Sequence, residues 1–83
     1  METRTFGKFE VSTDGRTVWV NGPEGCYARL TQTMVEYTLP QGEFYFAKLT
    51  KLKDWEDFKK NTIKWYGVEI PEDWKPTWLK VHG

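Results

Sequence analysis

The sequence predicts an α+β domain: an antiparallel β-meander of four to five strands, packed on one face by a single α-helix in the C-terminal half. Three observations carry that expectation. Turn signals at Asp14-Gly15, Asn21-Gly22-Pro23 and Pro40-Gln41-Gly42 separate short runs rich in Val, Phe, Tyr and Thr. Threonine, which suits pleated surfaces, occurs ten times and serine once. Near residue 54 the apolar period changes from two to that of a helix. With 83 residues there is room for one domain, read as a strand region 5–49, a helix 54–66 and a docked tail 68–83.

The first hairpin is read from Phe9 and Val11 alternating with Lys8 and Glu10, followed by Thr13-Asp14-Gly15-Arg16. A two-residue Asp-Gly turn pairs Thr13 with Arg16, which sets Val11 against Val18 and Phe9 against Val20 on one apolar face. After the loop at 21–25, a strand over 26–30 continues that face through Cys26, Ala28 and Leu30 and sets Trp19 opposite Tyr27 on the other. A second hairpin joins 35–39 to 44–47 around Pro40-Gln41-Gly42. It pairs Leu39 with Glu43 and Tyr37 with Tyr45, and places Phe44 and Phe46 together on the opposite face.

The helix is read from one stripe, Trp55, Phe58, Thr62, Trp65 and Tyr66, with Ile63 on its flank. Asp54 stands where an N-cap is wanted, and Glu56 and Asp57 suit the positive end of the dipole. Glu56 and Lys60 are spaced for an i,i+4 pair. Gly67 follows in the position of a left-handed cap, with Val68 able to touch Ile63. In the tail, Pro71 to Trp74 suits one helical turn. Trp78, Leu79 and Val81 are too apolar for a free terminus.

Chemistry is limited by residue types. One Ser, one Cys and one His leave only Ser12–His82 or Cys26–His82 for nucleophilic catalysis, in a hairpin and at a terminus. One Cys and one His together do not make a zinc site, and a calcium loop would need acidic residues that Asp14-Gly15 lacks. No phosphate-binding glycine motif occurs. The expectation is therefore no enzyme, no cofactor and no metal, with Asp54/Asp57 and Glu72/Asp73 serving as cap and solvated loop. The twelve basic and twelve acidic residues balance, unlike a chain held mainly by phosphates. No apolar run spans a membrane, and the opening residues resemble no leader, so a cytoplasmic address is expected.

Fourteen of the residues are aromatic, against thirteen Leu, Ile and Val together. A core this small cannot hide so many rings, and rings left partly exposed are anchors for a partner. The candidates are Trp19, Tyr27, Phe44, Phe46, Trp74 and Trp78, and the partner expected is another protein or a second copy of the chain. The alternative is single-stranded nucleic acid, bound through Lys48, Lys51, Lys53, Lys60 and Lys64 with neighbouring rings. Residues 48–64 carry six Lys against three acids, a local +3.

The run Phe9-Glu10-Val11-Ser12-Thr13-Asp14-Gly15-Arg16-Thr17-Val18-Trp19-Val20-Asn21 resembles the start of a group of small bacterial and phage proteins. Some of those also carry a late W-x-x-F helix and a G-V-x-x-P ending, matched here by Trp55/Phe58 and by Gly67-Val68 with Pro71. Thr31 to Lys53 has no counterpart. The resemblance implies a bacterial or phage origin, where a phage protein would act on a host protein. It carries over no activity and no site residue.

Overall fold

Six strands run in sequence order across one antiparallel sheet: β1 (Glu2–Phe6), β2 (Phe9–Thr13), β3 (Val18–Gly22), β4 (Gly25–Leu30), β5 (Met34–Thr38) and β6 (Phe44–Lys48). One helix, α1 (Leu52–Tyr66), follows, then two short 3-10 turns, Glu72–Trp74 and Thr77–Leu79. This computed structural model describes residues 1–38, 42, 44–48 and 51–79, with only the backbone at 44, 45, 47 and 48. The expected pairing of Leu39 with Glu43, the turn residues Pro40 and Gln41, and Val81 and His82 lie outside the described residues.

The α+β class is as the sequence predicts, with one strand added at the N-terminal edge. Strand β1 has no apolar alternation to mark it, and its first four residues are exposed. It pairs with β2 around Gly7-Lys8, with Phe6 opposite Phe9 and Gly7 at φ 60°.

The first expected hairpin forms, but its register is moved by two residues. Thr13 pairs with Val18 and Val11 with Val20, so Asp14 to Thr17 form a four-residue loop. Side chains decide this. Asp14 Oδ1 accepts from the Arg16 and Thr17 amides at 2.9 and 2.8 Å, while Thr13 Oγ1 accepts from Gly15 and donates to the Thr17 carbonyl. The amide hydrogen bonds hold the Asp14 carboxyl below its usual range. A shift of two keeps every side chain on its face. Val11, Val18 and Val20 are therefore still buried together.

The next pairing is corrected further. Val20 pairs with Ala28 and Trp19 with Arg29, and a bulge then lets Asn21 meet Cys26. Tyr27 is the extra residue. A bulge re-aims its side chain, and the Tyr27 ring lies edge-on to Phe9 at 5.4 Å and to Tyr66 at 5.9 Å. Tyr27 is thus not the partner of Trp19, and Cys26 leaves the buried face and is exposed. Gly22 makes room for this cluster, since a Cβ there would stand 2.4 Å from the Tyr27 ring. The second hairpin keeps its expected register, with Tyr37 opposite Tyr45.

Helix α1 and the tail cover one face of the sheet. Trp55, Phe58, Val68, Ile70, Trp74 and Leu79 share a buried cluster with Val11, Val18, Val20, Ala28, Leu30, Val35 and Tyr37. The helix begins two residues before the expected cap. Lys51 occupies the N-cap, and Asp54, three residues on, accepts from its amide at 2.8 Å. The ending is as expected in kind: Gly67 is left-handed at φ 70°, and its amide donates to Ile63. Glu56 pairs with Lys59 at 3.3 Å, not with Lys60, because Lys59 is also held by Glu72 of the tail.

Tyr66 ties the helix end to the sheet. Its hydroxyl donates to the Thr38 carbonyl at 2.6 Å, with the Tyr27 carbonyl a second acceptor at 3.0 Å. Burial, partly offset by the Thr38 bond, pushes this phenol up to about 12. An unfolded tyrosine titrates near 10, so the folded state holds its proton longer. The Tyr66 contribution to stability is whole below pH 10 and is lost as pH rises from about 10 through about 12. In Tyr66→Phe that part of the alkaline loss is expected to vanish, measured as the difference in urea midpoint between variant and wild type across this window. An unchanged difference would refute the assignment.

Candidate functional site

The face of the sheet opposite α1 carries one cross-strand row. Alternation along each strand puts Ser12, Trp19, Arg29 and Glu36 on the reverse side from Val11, Val18, Leu30 and Val35, as a pleat requires, although Ser12 is itself buried at 7 % exposure. The registers then align Thr3 with Ser12, Ser12 with Trp19, Trp19 with Arg29, Arg29 with Glu36 and Glu36 with Phe46. One residue from every strand thus lies in a single line.

The chemistry of that line is graded. At the β1 end, the Thr3 and Ser12 hydroxyls lie 3.4 Å apart. In the middle, Arg29 Nη2 donates to Glu36 Oε1 at 2.6 Å. That hydrogen bond leads the causes that raise the guanidinium above its already high range, so the charge is fixed. Arg29 Nε is buried without a partner, and the side chain as a whole remains 42 % exposed. The ion pair is flanked by Trp19, half-buried, and by Phe46, 43 % exposed.

The six candidate rings are distributed unequally. Trp19 and Phe46 share the open face. Tyr27 is turned by the bulge into the Phe9–Tyr66 cluster, on the helix side. Trp74 lies in the core, 3 % exposed, its Nε1 donating to Glu2 Oε2 at 3.0 Å. Trp78 docks on the first hairpin and donates to the Arg16 carbonyl at 2.7 Å. Phe44 is opposite Thr38 in the register. Arg29 and Glu36 were not candidates in the sequence. Their pairing depends on the β4–β5 register, which the tight connection between those strands establishes.

Of the lysines, Lys51, Lys53, Lys60 and Lys64 are exposed. Lys53, Lys60 and Lys64 recur at helical spacing on the outward stripe of α1, on the far side of the sheet from Trp19 and Phe46. Lys48 ends β6, opposite Met34.

Two clefts among the described residues flank the tail. One, of about 640 Å³, is lined in part by Arg4, Phe6, Lys60, Ile63 and Glu69; the other, of about 660 Å³, lies beside Asp14 and Trp74. In the first, burial lowers the affinity of Lys59 for its proton, but hydrogen bonds to Glu72 and Glu56 outweigh this and leave its pKa raised. A lysine so paired is a tie between helix and tail, not a poised base. Cys26 is exposed as a residue, but partial desolvation of its thiol pushes its pKa up, away from the thiolate. Among the described residues no three His, Cys, Asp or Glu side chains group as a metal site. Among them too, no helix is long and apolar enough to cross a membrane.

The fold and this face define a small α+β protein with a six-stranded sheet covered on one side. Comparison with known protein families, with curated proteins and with solved structures finds no match to the chain.

Proposed function

We propose that the chain is a non-enzymatic protein-binding module of a bacterial or phage cytoplasm, and that it binds through the open face of its sheet. The observation that supports this is the row Trp19–Arg29–Glu36–Phe46. Two rings flank a fixed ion pair on a face that neither α1 nor the described tail covers. Large rings and arginine are the residues enriched at interface centres. Single-strand binding needs rings and cations side by side. Here the helix lysines and the two open-face rings lie on opposite sides of the sheet, which favours the protein partner.

Trp19→Ala tests the reading. The ring stands outside the core cluster, so the variant is expected to lose about 1 kcal/mol of stability or less in urea denaturation. Association with itself, read as solution mass, or with a protein retained from lysate, is expected to weaken at least about tenfold, as for loss of an anchor. Unchanged association in a stable variant overturns the proposal. So does a stability loss of about 3 kcal/mol, which marks Trp19 as core.

A further inference from the structure

We infer that the partner of the open face is a second copy of this chain, stacked face to face about a two-fold axis that runs parallel to the strands between β4 and β5. This rests on the reading above, that the face binds protein, and names the occupant. The argument is the order of side chains in the row. From β3 to β6 it reads aromatic, cation, anion, aromatic: Trp19, Arg29, Glu36, Phe46. Reversed, the row reads aromatic, anion, cation, aromatic. A copy turned over about the stated axis presents its row reversed. Trp19 then lies over the partner's Phe46, Arg29 over the partner's Glu36, Glu36 over the partner's Arg29, and Phe46 over the partner's Trp19.

The match is self-complementary, as an isologous interface must be. The other in-plane axis, perpendicular to the strands, sets Arg29 on the partner's Arg29 and Glu36 on the partner's Glu36, and like charges directly opposed are unfavourable. The chosen axis also leaves the strands of the two sheets nearly aligned, the usual geometry of stacked sheets. Each ion pair has capacity to spare. Only Arg29 Nη2 and Glu36 Oε1 are joined, so a guanidinium edge and a carboxylate oxygen remain for the copy opposite. The four charges sum to zero.

The overlap is small. Four strands about 4.8 Å apart and five residues about 3.4 Å apart cover roughly 19 by 17 Å. That is below the roughly 800 Å² per partner of a standard interface. The dimer is therefore weak and concentration-dependent, and β1 and β2 project beyond the partner's β6.

Sedimentation equilibrium on the full chain tests this. The wild-type mass is expected to rise from one chain toward two between about 10 μM and about 1 mM, the range of weak association. Arg29→Glu makes the row all-acidic and Glu36→Arg makes it all-basic, so each variant alone is expected to stay at one chain. An equimolar mixture is expected to regain the doubled mass, because each acidic position then faces a basic one. Both variants lose the internal ion pair equally, so recovery on mixing reads the interface and not the fold. If either fails to fold, as judged by circular dichroism, Phe46→Lys in its place is expected to weaken wild-type association at least tenfold. A wild-type chain that stays single at about 1 mM overturns the inference, as does a mixture no heavier than its parts or a Phe46→Lys chain that dimerises normally. If the wild type is single but Trp19→Ala still loses a retained protein, only the second copy is refuted. If Trp19→Ala changes no association, the wider reading falls as well.

Discussion

Trp55→Ala is expected to lower the urea midpoint of the protein sharply. The indole is 0 % exposed and forms the base of the helix stripe, where Phe58 and Thr62 follow it into the sheet. Truncating a buried Trp costs about 3–5 kcal/mol. A domain of 83 residues has a total stability on the order of 4–12 kcal/mol, so one substitution removes a large share of it. Little of the loss is a hydrogen bond, because Trp55 Nε1 is buried without a partner. Trp55→Phe, which keeps a ring in the site, is therefore expected to retain the fold at a much smaller cost. Ile63→Ala is the control. That side chain is 52 % exposed, and alanine is the better helix former, so its urea midpoint is expected to stay close to wild type. A loss under about 1.5 kcal/mol in Trp55→Ala, far below the usual cost, would mean that the helix does not pack on the sheet as described.

The helix was legible because its signals are local and mutually consistent. A 3.6-residue stripe, acidic residues in the first turn and a glycine at the end all point to one element, and each lies within a few residues of its effect. The strand faces were legible for a similar reason: Val11, Val18 and Val20 are buried together whichever even register is chosen. The register of the first hairpin was not. Asp-Gly indicates a tight turn from backbone preference alone, but the Asp14 carboxylate and the Thr13 hydroxyl hydrogen-bond the loop into a longer form. A propensity argument weighs the backbone and misses such competing side-chain bonds. Strand β1 was missed because an exposed edge has no need of alternation.

The candidate site was half legible, and the missing half follows from the register. An excess of rings identifies Trp19 and Phe46 as partner candidates without coordinates. It does not separate them from Tyr27, Trp74 and Trp78, which the bulge, the core and the first hairpin take up. Arg29 and Glu36 are unremarkable in the sequence, each one charge among many. They become a fixed pair only once Leu30 meets Val35 across the β4–β5 connection. Charged residues on a sheet face acquire meaning through their neighbours on adjacent strands, and those neighbours are remote in sequence.

The tail is where the sequence leaves two roles open for one residue, and Trp74→Ala decides between them. As an anchor for a partner, the ring would be dispensable to the fold. As core, it is not. Its position favours the second role: 3 % exposed, donating to Glu2 across the edge of the sheet, with the Arg4 guanidinium 5.9 Å over its face. Together these contacts close the N-terminal strand onto the C-terminal segment. The expected cost of Trp74→Ala is about 3–5 kcal/mol, mostly lost burial. Glu2 adds little, since it is exposed and returns to water. Trp74→Phe keeps the stacking surface but loses the indole N–H, so it is expected to fall between, about 1 kcal/mol for the hydrogen bond plus the missing ring volume. Hydrogen exchange locates the damage. In Trp74→Phe, the amides of β1 are expected to lose protection before those of β3 and β4, because β1 is an edge strand whose inner face this ring covers. If Trp74→Ala leaves the urea midpoint unchanged, the tail does not close the sheet, and the indole returns to the list of partner anchors.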